Sequence, residues 1–243
     1  MAPWVNVSIP TQPPVSGPHH QVGTMTDSNF ETMRTAMINS QLRTTDVNTP
    51  SVLSAIAGVA REAFVPAGYE GVAYMDRALP FANGRMLNPP ISLGLMLERA
   101  VQGPLSRVLI VGSGTGYAAA VLSALAGHVV ALEEDAALIA QARGPLSAYQ
   151  NIEMVEGPLT DGYAAGAPYS LILVDGAVEE VPPALAAQLA EGGRLLCGLV
   201  TGAITRLAEG LAPLEGQPVA LHPFADTEIA PLPSFGIKRA FTF

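Results

Sequence analysis

Three closely spaced glycines carry the clearest chemical signal in the sequence. In the segment RVLIVGSGTGY, an apolar run is followed by Gly112, Gly114 and Gly116 and then by a helix-forming stretch. Glycine tolerates positive φ and lets a ligand approach the backbone closely, so this strand–turn–helix pattern is typical of a nucleoside-binding turn. A dinucleotide-binding turn would have glycine three residues after Gly114, but Tyr117 stands there, which disfavours a nicotinamide cofactor.

An acidic residue in the next predicted strand adds to this signal. Glu133 ends the apolar run HVVALE, and a carboxylate at the carboxyl end of a strand can accept hydrogen bonds from both hydroxyls of a ribose. The order strand, GxGxG, helix, strand and acid is the pattern of S-adenosyl-L-methionine (SAM) binding in Rossmann-like methyltransferases. The residues predicted to bind this cofactor are Gly112, Ser113, Gly114, Thr115, Gly116, Tyr117 and Glu133.

Each part of this pattern also has a purely structural interpretation. A single GxGxG occurs in ordinary β–α turns, and Glu134 or Asp135 could cap the helix that follows. Asp175, in LILVDGAVEE, is predicted to line the same cleft as a cofactor-binding residue, but it could equally be a turn residue before Gly176. The combination of these motifs in the right order favours the cofactor site.

The elements that would position these residues alternate between strand and helix. In chain order from Arg107 they are RVLIVG, GYAAAVLSALAG, HVVALE, DAALIAQARG, IEMVEG, YSLILVDG, PALAAQLAEGG (a helix), RLLCGLV and, as a closing edge strand, KRAFTF. Continuous apolar strands separated by helices are typical of a parallel sheet covered on both faces. The predicted fold class is therefore α/β, a Rossmann-like methyltransferase with a doubly wound, mostly parallel sheet and an N-terminal helical cap.

Composition divides the chain into three predicted segments. Residues 1–26 are rich in Pro, Ser and Gly without periodicity, which predicts a disordered leader. Residues 27–103 carry amphipathic helical runs and a loop with glycine and proline, and are predicted to form the helical cap and the substrate loop. Residues 104–243 are predicted to form the SAM-binding domain, and their Pro-rich tail could form a flap over the cleft or a dimer edge.

Charge and composition exclude several classes of function. The chain has 243 residues and a formal net charge of −9, so it would repel a phosphate backbone and nucleic acid is not an expected partner. No apolar run reaches the roughly 18–20 residues of a membrane span, so no membrane association is expected. The four histidines lack metal-ligand spacing. The single cysteine, Cys197, lies in an apolar run and is expected to be a buried thiol in a cytoplasmic protein.

Several longer stretches resemble the protein-L-isoaspartate (D-aspartate) O-methyltransferase family over most of residues 27–200. They are SVLSAIAGVAREAFVP, YMDRALPFANGRMLNPP, RVLIVGSGTGYAAAVLSALAGHVVALE and APYSLILVDGAVEEVPPALAAQLAEGGRLL. The REAFVP run and the ALP motif are more specific than GxGxG itself. The resemblance implies methyl transfer from SAM to the free carboxylate of an isoaspartyl residue, a protein-repair reaction on a protein or peptide substrate.

The chain departs from the family in the loop that would bind this substrate. The family has a Thr-Ile-Ser-Gln-Pro run whose serine hydroxyl and backbone amides hold the substrate carboxylate, whereas this chain has Met86-Leu87-Asn88-Pro89-Pro90. The resemblance makes Asn88 the candidate catalytic residue and Met86, Leu87 and Pro89 candidate substrate contacts. Asn88 can donate from its amide, but Pro89 has no N–H. The loop could also be only a linker in which the prolines start the next helix.

A second departure follows the third predicted strand. The family usually has Asp-Gly there, which suits the adenine amine, whereas this chain has Pro158 and Leu159. Adenine would then be held by packing and backbone contacts. Asp161-Gly162 follows a few residues later.

Three functions therefore stay open at the level of the sequence. The first is an isoaspartyl O-methyltransferase with altered substrate contacts. The second is a methyltransferase of the same fold that acts on another carboxylate or a small molecule, which the apolar Met86 and Leu87 favour. The third is a non-catalytic protein that binds SAM or has lost even that ability, and the intact glycines and Glu133 count against it.

Overall fold

The computed structural model describes residues 27–214 and 217–236. The predicted leader, 1–26, and the predicted edge strand KRAFTF lie outside these ranges. The helices are α1 (Asp27–Met37), α2 (Pro50–Ala57), α3 (Pro90–Ala100), α4 (Tyr117–Ser123), α5 (Ala136–Leu146) and α6 (Pro183–Ala186). The strands are β1 (Leu79–Pro80), β2 (Met86–Leu87), β3 (Arg107–Val111), β4 (His128–Glu133), β5 (Ile152–Glu156), β6 (Tyr169–Val178), β7 (Leu189–Thr201), β8 (Ile204–Leu211) and β9 (His222–Asp226).

Seven of these strands form one sheet in the order β5-β4-β3-β6-β7-β8-β9. Strands β3 to β7 are parallel, and β8 and β9 add an antiparallel edge. The chain moves outward from β3 through β4 to β5 and then returns to the other side of β3 with β6. This reversal is a topological switch point, where open α/β sheets bind ligands at the carboxyl ends of their strands. The predicted doubly wound, mostly parallel fold is confirmed.

Two hydrophobic cores cover the two faces of the sheet. Successive residues of β3 point to opposite faces, as the two-residue period of a strand requires. Val108 and Ile110 enter the larger core with residues of α1 to α5. Leu109 and Val111 enter the smaller core with α6 and residues near the end of the described chain. The predicted domain boundary at 103–104 lies in the loop between α3 and β3; it stays a prediction, and the helical cap shares the larger core with the sheet.

The structure corrects the helix predicted over PALAAQLAEGG. Helix α6 ends at Ala186, and strand β7 begins at Leu189, opposite Tyr169 of β6. The alanines favour a helix locally, but pairing with β6 outweighs that preference. At Gly193 a Cβ would lie 2.8 Å from the carbonyl oxygens of Ala190 and Tyr169, so this close approach of the backbone requires glycine.

The antiparallel strands β8 and β9 were not among the predicted elements. They pair with each other and extend the sheet beyond β7. Cys197 in β7 is fully buried, so the expectation of a buried thiol is confirmed, and this burial raises the pKa of the thiol to about 12.

Gly198 lies in a tightly packed part of the sheet, where β7 pairs with β6. A Cβ there would lie 2.6 Å from Cγ2 of Ile229 and 2.8 Å from Cα of Ala177, and the latter is backbone that cannot rotate away. We expect Gly198→Ala to lower the free energy of unfolding by about 1–3 kcal/mol, the usual cost of overpacking. Urea denaturation measures the loss.

Gly58→Ala is the matched control. Gly58 follows α2 with φ −75°, and a Cβ there would have no neighbour closer than 3.4 Å. We expect this change to be neutral or to stabilise by about 0.4–1 kcal/mol. Equal effects of the two substitutions would contradict the proposed crowding at Gly198.

Candidate functional site

The glycine turn joins β3 to α4 with three residues in the left-handed region. The φ values are +79° at Gly112, +57° at Gly114 and +93° at Gly116, a conformation that other residues adopt only with strain. The N–H groups of Gly112 and Ser113 both donate to the carbonyl of Leu132 at 3.0 Å. The turn is therefore fixed to the end of β4 by its backbone.

The space in front of the turn differs from one glycine to the next. A Cβ at Gly114 would have a single neighbour within 4 Å among the described residues, a ring carbon of Phe81 at 3.8 Å. A Cβ at Gly112 would meet Leu232 at 3.1 Å and Nη2 of Arg85 at 3.3 Å. At Gly116 it would meet Leu146 at 2.6 Å. Only Gly114 therefore faces open space in this part of the structure, and that cradle fits the close approach of a ligand.

The side chains of the turn point into the protein. Thr115 Oγ1 donates to the carbonyl of Phe64 at 2.5 Å, and Ser113 Oγ lies 3.8 Å from the sulfur of Met154. The ring of Tyr117 packs edge-on against Phe64, with centroids 5.9 Å apart, and the guanidinium of Arg61 lies 4.6 Å from its centroid. These side chains hold the turn in place, so contacts from Ser113 and Thr115 to a ligand would come from the backbone.

Glu133 is the most heavily bonded side chain of the site. It is fully buried at the end of β4 and forms a two-pronged ion pair with Arg85, with Nη1–Oε1 at 2.5 Å and Nη2–Oε2 at 2.9 Å. Oε2 also accepts from the N–H of Gly114 at 2.7 Å, and Oε1 accepts from the N–H groups of Glu134 and Asp135 at 2.9 and 3.1 Å. The carboxylate thus links the glycine turn, the start of α5 and the β1–β2 hairpin.

Arg85 is a residue of the site that the sequence motifs do not indicate. It precedes β2, is 5% exposed, and also donates through Nη2 to the carbonyl of Gly112 at 3.1 Å. Its Nε finds no acceptor among the residues that the structure describes. The available signal was a basic residue directly after Asn83-Gly84, a turn dipeptide that leads into the predicted substrate loop.

Asp135 has the capping role that the sequence left open. Its carboxylate accepts from the N–H groups of Ala137 and Leu138 at the start of α5 and from Nδ2 of Asn83 at 2.9 Å. The hydrogen bond from Asn83 and then the capping N–H groups lower the pKa of this carboxyl. Asp135 therefore stays ionised and fastens the tip of the hairpin to α5.

Asn88 joins three parts of the chain. Its Nδ2 donates to the carbonyl oxygen and to Oδ1 of Asp175 at 3.0 and 2.9 Å, and its Oδ1 accepts from the N–H of Ala230 at 2.9 Å. Its own carbonyl accepts from Nη2 of Arg61 at 2.8 Å. The surrounding protein shields the Asp175 carboxyl from water, and this desolvation raises its pKa. The hydrogen bond from Asn88 opposes that rise. Asn88 thus lies near the carboxyl end of β6, and both the nitrogen and the oxygen of its side-chain amide form hydrogen bonds.

The other predicted substrate residues differ in exposure. Met86 is half-buried, whereas Leu87 pairs with Leu79 in the hairpin and is buried, as is Pro89. Leu159 is one of the two residues that stand where the family usually has Asp-Gly, and it is fully buried in the smaller core. Met86 is therefore the predicted contact with the most side-chain surface left for a substrate.

The last described residues lie against the cleft. We name residues 229–235 the cover segment. It bonds to β6 through Ala177, whose N–H donates to Ala230 at 2.8 Å and whose carbonyl accepts from Leu232 at 2.9 Å. Leu232 lies against both Gly112 and Gly176, where Cβ atoms would meet it at 3.1 and 2.5 Å. The cover segment therefore forms one wall of the cleft.

An open cavity of about 400 Å³ lies beside the Arg85–Glu133 pair. Its lining residues are Asn83, Arg85, Glu134, Asp135, Ala136 and Pro233.

Within the described ranges no group of three His, Cys, Asp or Glu side chains could hold a metal ion. Nor does any helix in the part of the chain that the structure covers have the length and hydrophobicity to cross a membrane.

The contacts of Asn88 generate a stability prediction. In Asn88→Ala the N–H of the half-buried Ala230 loses its acceptor and Asp175 loses a donor, so we expect a loss of about 1–3 kcal/mol in the free energy of unfolding. The exposed Asn39→Ala should change it by less than about 0.5 kcal/mol. Thermal and urea unfolding measure both variants. A loss at Asn88 no larger than that at Asn39 would mean that these hydrogen bonds do not hold the loop.

Comparison with known proteins identifies the family. A family model described as protein-L-isoaspartate(D-aspartate) O-methyltransferase matches residues 32–206. A protein-L-isoaspartate O-methyltransferase of Koribacter versatilis is 44% identical over 171 residues, 70% of this chain and 77% of that protein. A protein-L-isoaspartate O-methyltransferase 1 of Rhodopseudomonas palustris is 33% identical over 219 residues, 89% of each chain.

Solved structures agree at the level of the fold. A protein-L-isoaspartate O-methyltransferase structure superposes with a TM-score of 0.70 at 22% identity, covering 85% of this chain and 67% of that one. A Plasmodium falciparum structure in complex with S-adenosyl-L-homocysteine gives a TM-score of 0.69 at 18% identity, covering 84% and 98%. The predicted class, a SAM-dependent O-methyltransferase, is confirmed, and the chain belongs to the protein-L-isoaspartate(D-aspartate) O-methyltransferase family.

Proposed function

We propose that this protein transfers a methyl group from SAM to the free carboxylate of an isoaspartyl residue in a protein or peptide. The observation that carries the proposal is the open cradle at Gly114 directly beside the buried carboxylate of Glu133. Both lie at the switch point of the sheet, where this fold class binds its ligands. Family membership supports the same reaction and the same cofactor.

The residues present fit the cofactor. The backbone of Gly112, Ser113, Gly114, Thr115 and Gly116, with Tyr117 at the start of α4, would pass under it, and the open face of Gly114 is the point of closest approach. Glu133 would accept from the ribose hydroxyls, and Asp175 would line the far side of the cleft. When bound, SAM supplies an electrophilic methyl group on its sulfonium sulfur.

The protein's part in the chemistry is orientation. A carboxylate is already ionised at neutral pH, so the acceptor needs no general base. It needs donors that point one oxygen along the line of attack on the methyl carbon. We assign Asn88 as the candidate catalytic donor, and Met86, Leu87 and Pro89 as the loop against which the substrate lies. In the present conformation the Asn88 amide is engaged with Asp175, so donation to a substrate would require that hydrogen bond to be exchanged.

A second acceptor class is favoured by one observation. The substrate loop offers the partly exposed, apolar Met86 and a proline without an N–H, and the Asn88 amide is already bonded. Such a loop would also suit another carboxylate or a small molecule with an apolar body. Parallel methylation assays with an isoaspartyl peptide, the matching aspartyl peptide and small carboxylates discriminate between the acceptor classes.

The cofactor site is tested by Gly114→Val. The branched side chain would fill the open cradle, so we expect the affinity for S-adenosylhomocysteine, measured by calorimetry, to fall by about 10-fold to 100-fold, since overpacking costs about 1–3 kcal/mol. Methyl transfer should fall with it.

Gly202→Val is the matched control for this variant. Gly202 has φ +65° and lies between β7 and β8, and a Cβ there would have no neighbour within 4 Å among the described residues. Valine at this position therefore suffers the same kind of backbone strain away from the cleft. The affinity of this variant for S-adenosylhomocysteine should match that of the unchanged protein. Equal affinities in both variants would remove the assignment of Gly114. Binding without turnover on any acceptor would favour a non-catalytic SAM-binding protein.

A further inference from the structure

The Arg85–Glu133 ion pair occupies the position that the proposed cofactor requires. Oε1 of Glu133 already accepts three hydrogen bonds and Oε2 accepts two. A carboxylate offers about four lone-pair sites, so none is left for the two hydroxyls of a ribose. The forked N–H groups of Arg85 and a vicinal diol present similar pairs of donors to one carboxylate. Arg85 and the ribose therefore compete for Glu133.

Arg85 lies in the β1–β2 hairpin, whose tip is held by the hydrogen bond from Asn83 to Asp135. Its N–H donates to Ala82 at 3.0 Å and its carbonyl accepts from Phe81 at 2.8 Å, which closes a turn through Asn83 and Gly84 with φ values of +56° and +72°. Ala82, Asn83 and Gly84 are exposed and Phe81 is half-buried, whereas Arg85 itself is buried. Displacement of the guanidinium therefore requires movement of a short surface turn and leaves the core strands in place.

A displaced Arg85 needs another anion, because a cation that loses its buried partner is costly. Two acidic residues line the neighbouring cavity: Asp135 caps α5 and binds Asn83, and Glu134 accepts one hydrogen bond from the hydroxyl of Ser234. Arg85 directly precedes Met86, the start of the predicted substrate loop. An acceptor carboxylate in that loop would supply the missing charge.

The acceptor carboxylate in turn finds few donors in its loop. The amide of Asn88 is shared between Asp175 and Ala230, and Pro89 has no N–H. The nearby guanidinium of Arg61 donates to the carbonyls of Ala73 and Asn88. Arg85 is the cation whose partner the cofactor would take away. The exchange would therefore leave the guanidinium of Arg85 and the acceptor carboxylate paired with each other.

We propose that Arg85 is a substrate-positioning residue that exchanges partners, pairing with Glu133 before the cofactor binds and with the acceptor carboxylate once the ribose occupies Glu133. This inference rests on the function proposed above. It makes the two binding events cooperative, because each ligand removes a cost that the other would otherwise meet. The coupling is reciprocal, so S-adenosylhomocysteine and an isoaspartyl peptide each tighten the binding of the other by the same factor, about tenfold.

The experiment is a calorimetric titration of S-adenosylhomocysteine into the full chain with and without a saturating isoaspartyl peptide. In Arg85→Gln we expect S-adenosylhomocysteine alone to bind about tenfold more tightly, because the competitor is gone, and the coupling factor to fall to about one. Arg85→Lys keeps the charge without the fork, so S-adenosylhomocysteine alone should bind more tightly while part of the coupling stays. This variant also serves if Arg85→Gln does not fold.

Arg143→Gln is the control for loss of one positive charge. Arg143 is exposed in the last turn of α5, at the opposite end of that helix from Asp135. Its affinity and coupling factor should equal those of the unchanged protein.

Each result decides between the exchange and a static ion pair. Unchanged affinity and coupling in Arg85→Gln, or weaker S-adenosylhomocysteine binding with the coupling intact, would overturn the proposal, as would a coupling factor of one in the unchanged protein. Absence of S-adenosylhomocysteine binding and of turnover in the unchanged protein would contradict the proposed function. In that case a gain of binding in Arg85→Gln or Arg85→Lys supports the competition at Glu133, and no gain overturns it.

Discussion

The buried carboxylate of Glu133 is the interaction on which the cleft depends. A charge removed from water must be compensated by donors, and here five of them come from the glycine turn, the start of α5 and Arg85. Because these donors lie on separate parts of the chain, one side chain fixes the distance between β3, β4 and the hairpin that precedes α3. The turn that brings the N–H of Gly114 to this carboxylate has positive φ values, which glycine adopts without strain.

A second set of polar contacts performs the same task on the other side of β3. Asn88 ties the substrate loop to Asp175 at the end of β6 and to the cover segment, and Arg61 ties the loop to the helical cap. The cap, the loop and the sheet thus share both a hydrophobic core and a chain of hydrogen bonds. The cleft lies where the cap, the loop and the sheet meet, and most of its polar groups form hydrogen bonds with one another.

The sequence predicted those parts of the molecule that local patterns determine. The conformation of Gly112, Gly114 and Gly116 followed from their spacing, and the position of Glu133 followed from its place at the end of an apolar strand. The partner of Glu133 could not be predicted in this way, because Arg85 lies 48 residues earlier and no local pattern records the contact. The start of β7 was predicted to be helical because the run that contains it is rich in alanine, which favours a helix locally. Its pairing with β6 is a contact between distant parts of the chain, and no local pattern predicts it.

The cover segment gives the order of synthesis a structural meaning. The glycine turn and the substrate loop leave the ribosome more than a hundred residues before Leu232, which packs against Gly112 and Gly176. Until the cover segment emerges, the oxygen of the Asn88 amide lacks the N–H of Ala230, and Gly112 and Gly176 lack the side chain of Leu232 that packs against them. The glycine turn and the substrate loop are therefore synthesised long before the residues that complete the cleft.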